Sequence, residues 1–131
     1  MAYFIQKVGD MGIYYILLDK KTERFINFGK KTNNSKFGYD GLDFYYNGKQ
    51  FDLSDDMLFL LKERFIEKHG QENVIFSPDW ELEQVYWLDD DVPPISVGGD
   101  DDFSIPLEEY LPELNNPDEL IKKGWLIERA D

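Results

Sequence analysis

Residues 42–69 read LDFYYNGKQFDLSDDMLFLLKERFIEKH, and this stretch decides the fold class. Its first half is built around Asn47-Gly48. Asn-Gly is the strongest short hairpin signal, because a type I′ turn needs positive φ at both central positions. Its second half switches to helical spacing. Ser54 is placed to cap the first turn, and Asp55 and Asp56 sit where the helix dipole favours anions. Leu58, Leu61 and Phe65 repeat at helical intervals, and Met57, Leu60 and Ile66 widen the apolar stripe. Arg64, Lys68 and His69 lie at the end that favours cations, and Gly70 suits the left-handed position that stops a helix. A hairpin running straight into an amphipathic helix predicts an α+β fold.

On the N-terminal side, residues 3–8 are rich in aromatic and β-branched side chains and read as a strand. Residues 13–18 are almost continuously apolar, which predicts a strand covered on both faces. A polar turn over 19–22 leads to a further strand over 24–28, and such short connections favour an antiparallel meander. Residues 29–41 read as a loop.

On the C-terminal side, residues 73–77 predict a strand stopped by Pro78. Trp80, Leu82, Gln84, Tyr86 and Leu88 alternate, which favours another strand over the competing helical spacing of Leu82, Val85 and Tyr86. Pro93-Pro94, Gly98-Gly99 and two Asp triplets make 89–106 an irregular acidic loop. A single helical turn is expected over 106–111. Asn116-Pro117-Asp118-Glu119 opens a short helix that ends at Gly124, and 125–128 returns as a strand or packs a helix end. The expected architecture is one domain over 1–131. An antiparallel sheet, a meander plus a hairpin, packs against a main helix at about 54–69 and one or two short helices.

Charge narrows the function classes. The chain has 131 residues, 27 acids against 14 bases and a net charge of −13. Residues 1–70 carry a net +1, and residues 71–131 carry −14. From His69 through Ile121 there is no Lys or Arg, yet 15 acids occur. Direct binding to a phosphate backbone needs clustered Lys and Arg, so nucleic acid is not an expected ligand. An anionic membrane surface is disfavoured for the same reason. The absence of cysteine removes disulfides, thiol nucleophiles and Cys-based metal sites. The N-terminal residues lack a basic region followed by a long apolar run, so the expected location is the cytoplasm.

No constellation points to catalysis, a cofactor or a metal. Asp89-Asp90-Asp91 and Asp100-Asp101-Asp102 do not follow the order of a calcium-binding loop, and consecutive Asp residues cannot all turn towards one ion. His69 is the only histidine, and its place at a helix C-terminus is accounted for by the dipole. Gly29-Lys30-Lys31-Thr32 lacks the first glycine and the spacing of a phosphate loop. The chain is therefore not expected to be an enzyme.

The acidic stretch is not a tail, because it holds aromatic residues. Trp80, Tyr86, Trp87, Phe103 and Tyr110 lie within it, interleaved with the two triplets. Aromatic anchors rimmed by carboxylates are what a specific protein interface uses. Asp89, Asp90, Asp91, Asp100, Asp101, Asp102, Phe103, Trp80, Tyr86 and Trp87 are the candidate partner-binding residues.

In this character, small, acidic, cysteine-free and aromatic-rich, the chain resembles the immunity proteins of bacterial contact-dependent growth inhibition and related toxin systems. The resemblance implies a protein that binds and neutralises one cognate basic toxin, often a nuclease, and has no catalytic activity of its own. Two alternatives stand beside it. One is a nucleic-acid mimic that blocks a DNA- or RNA-binding protein. The other is a small metal-binding or adaptor domain.

Overall fold

The computed structural model describes residues 13–86, 95–99 and 104–129, with the backbone alone for 83–86. The fold is α+β. Strands β1 (Tyr14–Asp19), β2 (Arg24–Lys30), β3 (Asp43–Tyr46) and β4 (Lys49–Leu53) precede the main helix α1 (Asp55–His69). Strand β5 (Val74–Pro78), helix α2 (Asp79–Tyr86) and the two-residue strand β6 (Ile95–Ser96) follow. Two 3₁₀ turns, Leu107–Glu109 and Pro112–Asn115, lead to helix α3 (Pro117–Lys123) and strand β7 (Leu126–Glu128). The predicted strand over 3–8 lies outside the described residues.

The strands form two sheets. The first has the order β5-β1-β2-β6, antiparallel except for the short parallel β2–β6 pair. The hairpin builds the second, β3-β4-β7, which is antiparallel throughout. Asn47 and Gly48 have φ of 55° and 76°, as a two-residue primed turn requires. Ser54 accepts the Met57 amide through its side chain and starts α1. Gly70 ends it with positive φ and an amide bonded to the Ile66 carbonyl, although its ψ of 125° lies outside the left-handed helical region. Asn116 precedes α3 as expected but makes no capping bond through its side chain.

One apolar core joins both sheets. Leu17, Ile26 and Phe28 from the first sheet meet Phe51, Leu53 and Leu126 from the second. Met57, Leu58, Leu61 and Phe65 of α1 close it, with Leu107, Leu111 and Leu114 from the 3₁₀ segment. The alternate face of β1, Ile16 and Leu18, packs against Leu82 of α2, with Phe25 and Ile75 alongside. The continuous apolar run in β1 is explained by burial on both faces.

The segment expected as a strand over 80–88 is a helix through Tyr86. Pro78 ends β5, and Asp79 in the first turn of α2 is buried, its Oδ1 without a hydrogen-bond partner among the described residues and its carboxyl held above the ordinary value by burial. Its position in the first turn also suits the helix dipole. In a strand, Trp80 and Leu82 would share a face. Here Leu82 is 1% exposed and Trp80 38% exposed. Leu82→Ala should therefore lower the free energy of unfolding by about 2–5 kcal/mol in urea melts, and Trp80→Ala by less than half as much. Equal losses would place the two side chains on one buried face and contradict the helix.

Candidate functional site

The acidic loop is anchored to the edge of the first sheet. The Ile95 amide donates to the Glu23 carbonyl at 3.1 Å, and the Val97 amide to the Phe25 carbonyl at 2.8 Å. Ile105 pairs alongside Val97 in a parallel bridge. The Gly98 amide donates to the Ile105 carbonyl at 2.7 Å, and the Ile105 amide to the Ser96 carbonyl at 2.8 Å. The Ser96 and Ser104 hydroxyls are 2.9 Å apart. A Cβ on Gly99 would lie 2.4 Å from Ser96 Oγ and 2.8 Å from Ser104 Oγ, so a side chain there would have to displace this hydroxyl pair. Gly99 and Ser104, the described residues on either side of 100–103, are thus held side by side.

Next to this anchor lies an open cleft of about 360 Å³. One wall is Gly41, Leu42, Asp43, Phe44 and Tyr45, leading into and along β3. The other is Gly98, Gly99, Pro106, Leu107 and Glu108. Glycine is required on the first wall, since Gly41 has φ of +92° and a Cβ there would meet Leu58 Cδ1 at 2.8 Å. The Asp43 carboxylate accepts from Gln50 Nε2 at 2.8 Å and from Arg129 Nη2 at 2.7 Å, and Arg129 also bonds Asp52. Two carboxylates thus share one guanidinium. Burial holds the Asp43 carboxyl above its ordinary value, against the pull of Arg129. Tyr45 is 65% exposed, the most open large hydrophobic side chain among the described residues.

A buried polar chain fixes the second wall. His69 Nδ1 lies 2.7 Å from Asp19 Oδ2, with side chains only 7% and 3% exposed. His69 Nε2 lies 2.6 Å from the hydroxyl of the buried Tyr110. Asp19 also accepts the Lys21 amide at 2.9 Å and the Thr22 hydroxyl at 2.8 Å. Neutral His69 satisfies both partners: Nδ1–H donates to Asp19, and Nε2 accepts from the Tyr110 hydroxyl. Burial pushes His69 below its ordinary value, with Asp19 opposing and Arg24 and Lys68 assisting. Burial pushes Asp19 up, but the Lys21 amide, the Thr22 hydroxyl and His69 outweigh it, leaving the carboxyl below its ordinary value. Arg64 clamps the next turn, pairing with Glu113 at 2.7 and 2.8 Å and donating to the Tyr110 carbonyl at 3.2 Å. None of Asp19, His69 and Tyr110 lines the cleft.

The structure places the sequence candidates unevenly. Trp80 stands on α2 and is partly exposed. Tyr86 ends α2 and is described by its backbone alone. Trp87, Asp89, Asp90, Asp91, Asp100, Asp101, Asp102 and Phe103 lie outside the described residues. Sequence reasoning missed Asp43, Tyr45 and Glu108, which the fold gathers at the cleft. It also missed the role of His69, because Asp19, His69 and Tyr110 are brought together only by tertiary contacts. Gly98-Gly99 was the available signal, since paired glycines mark close backbone approach as well as loops.

No protein-family model, curated protein or solved structure matches this chain.

The His69 geometry sets a pH dependence. A His held below its unfolded value stabilises the fold fully above that value, near pH 6.5, and the contribution is lost as pH falls through the folded value. Urea midpoints should therefore drop as pH is lowered from 7 through the histidine range (about 6.5 in the unfolded chain), and His69→Gln should flatten that part of the profile. A wild-type midpoint rising over the same range would show that His69 is charged in the folded state. Tyr110→Phe leaves Nε2 without its donor and should cost about 1–3 kcal/mol in the same assay.

Proposed function

We propose that this chain is a cytoplasmic immunity protein that binds and neutralises a cognate bacterial toxin, a basic protein such as a nuclease domain, through its acidic, aromatic-containing face. The observation that carries this reading is the division of charge. Fifteen acids and no Lys or Arg occupy residues 69–121, and the middle of that stretch is tethered beside an acid-walled cleft. Gly99 and Ser104, held side by side, are the described residues that flank the Asp100–Asp102 triplet in sequence.

The ion pairs support the same division. Glu109 is matched by Arg24 and Lys68, and Glu113 by Arg64, all cations of the near-neutral N-terminal half. These pairs attach the acidic segment to the body. Glu108, on the cleft wall, has no cation partner among the described residues. Carboxylates left over in this way speed encounter with a basic surface and fix its register. Where that surface is a nuclease cleft, they stand where the phosphates of its substrate would lie. Among the described residues no helix is long and apolar enough to cross a membrane, and no three His, Asp or Glu side chains gather to hold a metal.

The test uses the basic toxin domain that this reading expects to be encoded next to this chain. Co-expression should rescue growth, and the purified pair should bind with an affinity that falls steeply with salt. Replacing Asp100, Asp101 and Asp102 together by Asn should weaken binding about tenfold at low salt and flatten the salt dependence. Unfolding stability should change by less than about 0.5 kcal/mol. Binding that is unchanged in strength and salt dependence would contradict the reading.

A further inference from the structure

Strand β3 is an edge strand, and its free edge opens into the cleft. Among the described residues, the order β3-β4-β7 leaves β3 paired on one side only. Across the hairpin, Tyr46 faces Lys49, Tyr45 faces Gln50, Phe44 faces Phe51 and Asp43 faces Asp52. The Leu53 amide bonds the Leu42 carbonyl, and the Gln50 carbonyl accepts from Arg129 on the β7 side. Hydrogen-bonded pairs alternate along an antiparallel ladder, so Phe44 and Tyr46 spend their backbone groups on β4. The N–H and C=O of Asp43 and Tyr45 turn the other way, into the cleft.

We propose that this edge receives an extended segment of the basic partner as an added strand, with basic and apolar side chains alternating along it. The inference rests on the reading of a basic protein partner and names the part of it that is bound. Four backbone groups at Asp43 and Tyr45 supply the hydrogen bonds. Side chains of an added strand fall alternately on the two faces of the sheet. On the outer face they meet the Asp43 and Asp52 carboxylates, which share a single guanidinium, and the exposed Tyr45 ring, a platform for a cation. On the inner face they meet Phe44 and Leu107, while Glu108 adds a carboxylate from the opposite wall. A second copy of this chain is a poor occupant. Pairing two such edges would bring together Asp43 carboxylates from molecules that each carry a charge of −13.

The probe is a short capped peptide alternating Lys and Val, with its Glu/Val counterpart as control, titrated into the full chain and followed by amide NMR. The Lys/Val peptide should bind saturably, shift the Asp43 and Tyr45 amides and slow their exchange, and the Glu/Val peptide should not bind. Tyr45→Pro removes an N–H that the β3–β4 ladder does not use, and should weaken binding about tenfold. Tyr45→Ala, which keeps that N–H, should weaken it less. The wild-type exchange data stand independently should the proline variant fail to fold. Absent or non-saturable binding, binding without protection at Asp43 and Tyr45, or equal effects of Pro and Ala overturns the inference. So does a dimer that Tyr45→Pro abolishes, since the occupant is then a second copy. Toxin binding that survives Tyr45→Pro but is lost with the Asp100–Asp102 triple change removes the strand-addition site and leaves the basic-partner reading standing.

Discussion

Strand β1 carries apolar side chains on both faces, and each face has to be covered by a different element. Leu17 looks into the core closed by α1, while Ile16 and Leu18 look towards Leu82 of α2. That double burial puts β1 between β5 and β2 and sets helices against both sides of the first sheet. Its last residue, Asp19, then does a second job. Through His69 at the end of α1 and Tyr110 in the 3₁₀ segment, it ties the near-neutral half of the chain to the acidic half. An unpaired carboxylate or imidazole at such burial would be costly, so the three side chains fix one another. Tyr110 directly follows the turn Leu107–Glu109, so this polar chain holds the end of the segment that forms the second cleft wall.

Much of this was legible wherever the local chemistry admits one answer. Asn47-Gly48 specifies a primed turn, Ser54 with Asp55 and Asp56 specifies a helix start, and Gly124 takes the left-handed position that ends α3. The apolar run of β1 announced its two buried faces. Where two periods fit the same residues, the reading failed. Over 80–88 both alternation and helical spacing are present, and the choice was made by the need to cover Ile16 and Leu18, which is a tertiary demand. The return of β7 onto β4, giving the hairpin a third strand, likewise depends on where α3 delivers Leu126.

The candidate site was legible as charge but not as shape. The base-free stretch and the two triplets stand out in the sequence, and the tether that holds the second triplet's flanks does not. It depends on Gly99 fitting against Ser96 and Ser104, a contact that no periodicity encodes. Asp43 and Tyr45 belong to the other half of the chain and were read only as hairpin residues. Their significance comes from the β3 edge facing Gly98, Gly99 and Glu108 across the cleft. The N-terminal half thus provides a strand edge, and the C-terminal half sets Glu108 across the cleft from it.

A second groove competes for attention on the outer side of α1, where Phe59, Lys62, Glu63, Ile66, Glu67 and Gln71 enclose about 350 Å³ and Phe59 is half exposed. It mixes both signs of charge, Lys62 beside Glu63 and Glu67, and lies in the near-neutral half of the chain. The most direct test of the account is hydrogen exchange of this chain alone and in complex with the basic toxin domain that the proposed function calls for. The account expects slowed exchange on both cleft walls, over 41–46 and 98–108, with α1 unchanged on its outer side. Protection confined to 59–71, with the cleft walls exchanging as in the free protein, would contradict it.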